Sequence, residues 1–206
     1  SFAGDLSLWD VSNVTNMREM FTGAVSFQSD LSNWNVSSVV DMFRMFKLSN
    51  YNGDLSSWDV SSVENMQALF NTNPEFNGDL SEWNVSSLTN MHNMFVNASS
   101  FNSDISSWDV SNVTIMSNAF KNSESFNQNL SNWDISSVTD MEGIFNGQTG
   151  LSDTNKCYMD DAFQSNAFWP YEWVGHCQPS LSEIEDASIL EDQTYTIDLE
   201  SFGVFL

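Results

Sequence analysis

Apolar and polar positions along this chain recur with a period of 24 or 25 residues. Tryptophan stands at Trp9, Trp34, Trp58, Trp83, Trp108 and Trp133. Seven residues before each is an aromatic (Phe2, Phe27, Tyr51, Phe76, Phe101, Phe126), and three before it an aliphatic (Leu6, Leu31, Leu55, Leu80, Ile105, Leu130). Valine, isoleucine or leucine follows at two and five residues, and methionine at eight: Met17, Met42, Met66, Met91, Met116 and Met141. Within each unit, LSxWDVSxV alternates apolar and polar, the signature of a strand with one buried face. After it, Met17, Met20, Phe21 and Ala24 fall at i, i+3, i+4 and i+7, one stripe of a helix. Thr15, Thr89, Thr114 and Thr139, or the Asn or Asp that follows, sit where an N-cap belongs. A two-turn helix is marginal alone, so the units must stack. The expectation is an α/β repeat solenoid with one parallel strand plus a short helix per turn. The single deletion, between Phe46 and Tyr51, predicts a loop that tolerates length change.

The pattern FNxDLSxWDVSxVTNMxxMFxxA resembles the BspA-like leucine-rich-repeat proteins of bacterial surfaces, over roughly residues 1–150. The stretch 150–177 looks like the cysteine-containing cap that closes such arrays. The resemblance implies a right-handed solenoid, secretion, and a role in adhesion or recognition without catalytic residues. Three segments follow: a six-repeat solenoid over 1–150, a C-terminal cap over 151–178, and a β segment over 179–206 that resembles the entry to an immunoglobulin- or cadherin-like domain. In the last, Tyr195, Ile197 and Leu199 alternate with polar residues. They read as a strand of a following β-domain or as an assembly strand added to a neighbouring copy.

Charge narrows the partners. With 28 acidic against 5 basic residues and a net charge of −23, nucleic acid and anionic membrane surfaces are poor partners. No apolar run in the sequence reaches the roughly 18 residues of a membrane span. The opening SFAGDLSLWD has no basic n-region or apolar h-region, so any signal peptide is expected to be absent already. The start lacks a cap and the end stops within a β pattern, as expected of a segment cut from something longer.

Candidate chemistry lies on the polar columns. Asp10, Asn35, Asp59, Asn84, Asp109 and Asp134 follow each Trp, and Ser12, Ser37, Ser61, Ser86, Ser111 and Ser136 stand two further on. On a concave sheet face they would form ladders that bind cationic groups, glycan hydroxyls or calcium. The competing reading is that each carboxylate bonds a nearby serine and shapes a turn. A second column, Asp5, Asp30, Asp54, Asp79, Asp104 and Asn129, reads as a turn-forming position. No cofactor is expected beyond that calcium, and no EF-hand-like loop is present. Asn-x-Ser/Thr triplets start at Asn13, Asn35, Asn84, Asn97, Asn112 and Asn129, a number that composition alone supplies. Cys157 and Cys177 read as a disulfide of the cap, since two cysteines in an acidic, secreted-looking chain more often pair than bind metal. The methionine columns read as core filler. The acids stand in translational ladders, which argues against a glycosidase pair. The expectation is therefore a non-enzymatic, extracellular or cell-surface adhesion protein. It would recognise a protein or glycan, and further copies of itself if it assembles head to tail.

Overall fold

The six repeats form six coils, the second to sixth starting at positions 27, 51, 76, 101 and 126, followed among the described residues by one helix, α1 (Asp153–Phe163). The computed structural model describes residues 4–173. Cys177 and the segment 179–206, with Tyr195, Ile197 and Leu199, lie outside the described residues.

The expected α/β solenoid is not what the coils build. Among the described residues α1 is the one α-helix, and no coil contains a strand. Adjacent coils meet through single parallel bridges, Asn16 to Asp41, Asn65, Asn90, Ile115 and Asp140 in succession.

Local hydrogen bonds explain why the strand pattern folds otherwise. The Asp30 carboxylate accepts the Ser32 amide at 2.9 Å, and the chain then turns, with the Trp34 amide donating to Leu31 O. Asn35 next accepts the Ser37 amide, and the Val39 amide donates to Val36 O. The alternation that reads as a strand is two consecutive side-chain-nucleated turns.

The methionine stripe fails to make a helix for a different reason. Amide groups there point alternately inside and outside the coil. Met20, Thr22 and Ala24 donate three residues back, whereas Met17, Glu19, Phe21 and Gly23 donate to Asp41, Phe43, Met45 and Lys47 of the next coil. This alternation requires left-handed backbone two and six residues after each methionine. Glu19, Arg44, Ala68, Asn93, Asn118 and Gly143 occupy the first position, and Gly23, Leu48, Thr72, Asn97, Asn122 and Gly147 the second. Positive φ interrupts an α-helix. The threonines expected as N-caps instead continue an inter-coil ladder, Thr114 amide to Thr89 O and Thr139 amide to Thr114 O.

The length change falls where a turn is replaced. In coil 1 the Phe27 amide closes on Ala24 O. In the shorter coil 2, the buried Ser49 donates its hydroxyl to Phe46 O and accepts the Tyr51 amide.

Inside, identical residues stack. Phe46, Phe70, Phe95, Phe120 and Phe145 follow one another with ring centroids 5.5–5.7 Å apart. Each of the first four also stacks on the aromatic that opens the next coil, as Phe70 does on Phe76 at 3.8 Å. Every interior tryptophan donates its indole N–H to the preceding coil: Trp34 to Leu6 O, Trp58 to Leu31 O, Trp83 to Leu55 O, Trp108 to Leu80 O and Trp133 to Ile105 O, at 2.9–3.0 Å.

Thr72 is β-branched and held at φ 55°, a conformation that asparagine tolerates far better. Asn97 and Asn122 occupy the same place in the next coils, with Asn122 Nδ2 donating to Asn97 Oδ1. Thr72→Asn should therefore stabilise the chain by about 0.5–1 kcal/mol. Urea unfolding measures this; a loss of stability would show that the Thr72 hydroxyl, which accepts from Asn97 Nδ2, matters more than the backbone.

Candidate functional site

The polar columns lie on turns at the coil surface, not on a sheet face. Asp10, Asp59 and Asp109 each accept both the amide and the hydroxyl of the serine two residues on, Ser12, Ser61 and Ser111, with hydroxyl distances of 2.6 Å. Asn35 does the same for Ser37, while Asn84 and Asp134 accept the amides of Ser86 and Ser136. In the other column Asp5, Asp30, Asp54, Asp79, Asp104 and Asn129 accept amides at 2.9–3.0 Å. One side-chain oxygen per residue is thus committed to the turn that follows it. Among the described residues no group of three or more His, Cys, Asp or Glu is gathered as a metal site.

These bonds hold nine aspartates below the ordinary carboxylate range. For Asp10, Asp59, Asp109 and Asp134 the largest cause is the neighbouring serine hydroxyl. For Asp5, Asp30, Asp54, Asp79 and Asp104 it is the serine amide. A value depressed in the folded state means that the unfolded chain takes up protons first, so the stability is present above the unfolded value and lost as pH falls through the folded one. Melting temperature should rise modestly from pH 7 to about 4.5 as repulsion among the negative charges is relieved. It should then fall below 3.8, the ordinary value from which these groups are depressed. Asp59→Asn with Asp109→Asn should be near neutral at pH 7, since Asn35 and Asn84 make the same turns, and should blunt the acid loss. A melting temperature that keeps climbing to pH 2.5 would sink this account.

The sequence reading passed over the column directly after each methionine: Arg18, Phe43, Gln67, His92, Ser117 and Glu142. Here the repeat breaks, and no two coils carry the same residue. Arg18 and Arg44 both lie over the Phe43 ring, at 4.1 and 4.5 Å, and pair with Asp41 and Glu19. Further along, Asn93 Nδ2 and His92 Nε2 are 2.7 Å apart, and His92 Nδ1 lies 2.7 Å from Ser117 Oγ, which donates to Asp140 at 2.8 Å. This links three coils but is no nucleophile relay: Ser117 is buried and its hydroxyl points to the carboxylate, not to the imidazole. The signal that would have found the column is the failure of periodicity directly after each first methionine, where the preceding Trp, Ser and Met columns hold.

Of the triplet asparagines, Asn13, Asn35, Asn84, Asn97 and Asn112 are exposed and Asn129 is half-buried. Asn97 and Asn112 spend their side-chain amides on Thr72 Oγ1 and Ser86 O. Cys157 sits on α1 and is disulfide-bonded. The cap also contains a residue that the sequence did not flag. The buried Asp160 accepts the Trp169 indole at 2.8 Å and the Trp173 amide at 3.1 Å. Tyr171 then accepts the Phe145 amide at 2.9 Å. In every earlier coil the equivalent amide bonds a carbonyl of the next coil, so the Tyr171 hydroxyl stands in for it. No helix among the described residues is long and apolar enough to cross a membrane.

The chain matches the family described as "Mycoplasma protein of unknown function, DUF285" over residues 1–67 and 47–158. This overturns the resemblance to BspA-like leucine-rich-repeat proteins: DUF285 accounts for the repeat pattern, and no BspA-like or leucine-rich-repeat family does. No curated protein matches the chain. Because the two matched segments together span residues 1–158, the chain belongs to the DUF285 family.

Proposed function

We propose that the chain is a non-enzymatic recognition and structural protein that works outside the cell or on its surface, where it engages a protein or glycan. The observation that carries this reading is the contrast between columns. Five of the six residues after the methionines, Arg18, Phe43, Gln67, His92 and Glu142, differ from coil to coil and reach the surface. The Trp, Asp/Asn, Ser and Met columns that precede them repeat, and the Asp/Asn and Ser side chains there are bonded into turns. A rigid frame whose accessible residues beyond each first methionine vary presents a distinct surface at each coil, which suits selective binding. The bonded Cys157 supports an oxidising compartment. The net charge of −23 favours partners that are neutral or basic.

The test is retention of labelled full chain on panels of immobilised extracellular glycans and cell-surface proteins. Binding to a subset is expected, and the triple variant Arg18→Ser, Phe43→Ser, His92→Ser should lose it while keeping the wild-type circular dichroism spectrum. Retention that the triple variant leaves unchanged would refute the role of this column. No retention on either panel would refute recognition itself.

A further inference from the structure

The cap does not seat on coil 6 as one coil seats on the next. Asn166, just past α1, reaches back with its side-chain amide to Ile135 O at 2.7 Å and Val138 O at 3.2 Å. Its side-chain oxygen accepts the Phe168 amide at 2.8 Å, so the segment is fixed where it crosses the coil. Beside this contact a cleft of about 410 Å³ opens between residues 133–139 of coil 6 and residues 162–168 of the cap. Ligand pockets span roughly 300–1,000 Å³. Asp134 is the one charged side chain among the described residues that line it, and it is exposed, with one oxygen on the Ser136 amide. Two main-chain carbonyls extend this acceptor wall. At earlier junctions Ser12 O, Ser61 O and Ser86 O accept a side chain of the next coil, and Thr89 O and Thr114 O accept the amide and hydroxyl of the next threonine. Ser136 O and Thr139 O hold the same places on the cap side and, among the described residues, accept nothing. The side-chain donors are spent elsewhere: the Trp133 indole on Ile105 O, the Thr139 hydroxyl on Thr114 O and the Asn166 amide on coil 6. Ala162, Ala167 and the 51% exposed Phe168 supply an apolar wall.

We infer that this cleft takes a lysine side chain of a partner protein. An ammonium group carries three donors and no acceptor, which complements two carbonyls and a carboxylate whose neighbouring donors are committed. A sugar hydroxyl brings acceptors along with its donor, and those would go unanswered here. The lysine methylenes can lie along Ala162, Ala167 and Phe168 while the charged head reaches the polar wall. The face of the Phe168 ring adds attraction for the cation. Arginine fits less well, because its planar fork seeks both oxygens of a carboxylate and one oxygen of Asp134 is held by Ser136. The net charge of −23 draws a basic segment toward the chain. The inference rests on the recognition reading for the partner's being a protein, but the cleft is separate from the variable column.

Titrating the full chain with Nα-acetyl-lysine methylamide, followed by amide NMR shifts, tests the cleft directly. The amides of Ser136, Asn166 and Phe168 should shift saturably while those of Phe70 and Phe95 stay still. The same compound acetylated on its ε-nitrogen, which has lost the charge, should bind about tenfold more weakly. Asp134→Asn should also weaken the lysine compound about tenfold and keep its turn, as Asn35 and Asn84 keep theirs. Phe168→Ser should weaken it about threefold, and the triple variant Arg18→Ser, Phe43→Ser, His92→Ser should bind it as the wild type does. Absence of saturable shifts, or equal binding of the acetylated compound, would overturn the inference. So would tighter binding of the neutral disaccharide diacetylchitobiose at the same amides. Retention on the panels without lysine shifts would strike this inference alone. Lysine shifts without retention on either panel would strike the recognition reading and leave the ammonium chemistry of the cleft in place.

Discussion

Phe70→Ala should lower the unfolding free energy by about 3–5 kcal/mol. Phe70 is fully buried, with Phe46 and Phe95 stacked on it from the neighbouring coils at 5.6 and 5.7 Å and Phe76 at 3.8 Å. The void cannot collapse easily, because the backbone on both sides is pinned: the Phe70 amide donates to Met94 O and the Phe46 amide to Leu69 O. Phe70→Leu keeps most of the volume and should cost about 1.5 kcal/mol or less. In a repeat array, stability is close to a sum of units and nearest-neighbour junctions. The damage should therefore concentrate in coils 2 to 4, visible as faster amide exchange at Phe46 and Phe70 than at Phe120. Urea unfolding gives the magnitude. A loss under 1 kcal/mol would mean that the aromatic column fills space without binding the coils together.

How much of this was legible in the sequence depends on whether side chains or backbone carried the message. The inward columns were readable because burial repeats the residue itself: Trp34, Trp58, Trp83, Trp108 and Trp133 are all buried, as are Met42, Met66, Met91 and Met116. The backbone was misread for a physical reason. Spacings of three and four residues mark one face of a helix, but chained turns that bond three residues back give the same spacings. The distinguishing feature is positive φ, and Glu19, Arg44, Leu48, Ala68 and Thr72 give no compositional sign of it. Only Gly23, Gly143 with Gly147, and the pairs Asn93–Asn97 and Asn118–Asn122, the pairs spaced by four residues, carry the hint. The Asp/Asn columns recur in register from coil to coil. The serine two residues after each was the clue that they fold turns, and the structure puts both on one hydrogen bond. The variable column was overlooked because attention to a repeat discards whatever does not recur. In the cap there is no repeat to read, and Asp160 reaches partners nine and thirteen residues away that no local pattern connects.

Asp160→Ala should cost about 3 kcal/mol, since hydrogen bonds to a charged group contribute about 1.5–3 kcal/mol each and two are lost together. The Trp169 indole and the Trp173 amide would be left without their acceptor. Those two side chains, with Tyr171, cover Phe145 at the end of the aromatic column, at ring distances of 5.8–6.4 Å. When they loosen, Tyr171 should release the Phe145 amide, and the donor edge of coil 6 meets solvent. The loss should therefore begin at one end: the Phe145 amide exchanges early while Phe70 and Phe95 stay protected. Asp160→Asn retains one acceptor oxygen and should cost roughly half as much. Tyr171→Phe should expose the Phe145 amide with a smaller penalty of about 1–2 kcal/mol, because the ring packing survives. If Asp160→Ala instead removes protection evenly from coil 2 to coil 6, the cap nucleates the whole stack and the additive picture of the coils is wrong.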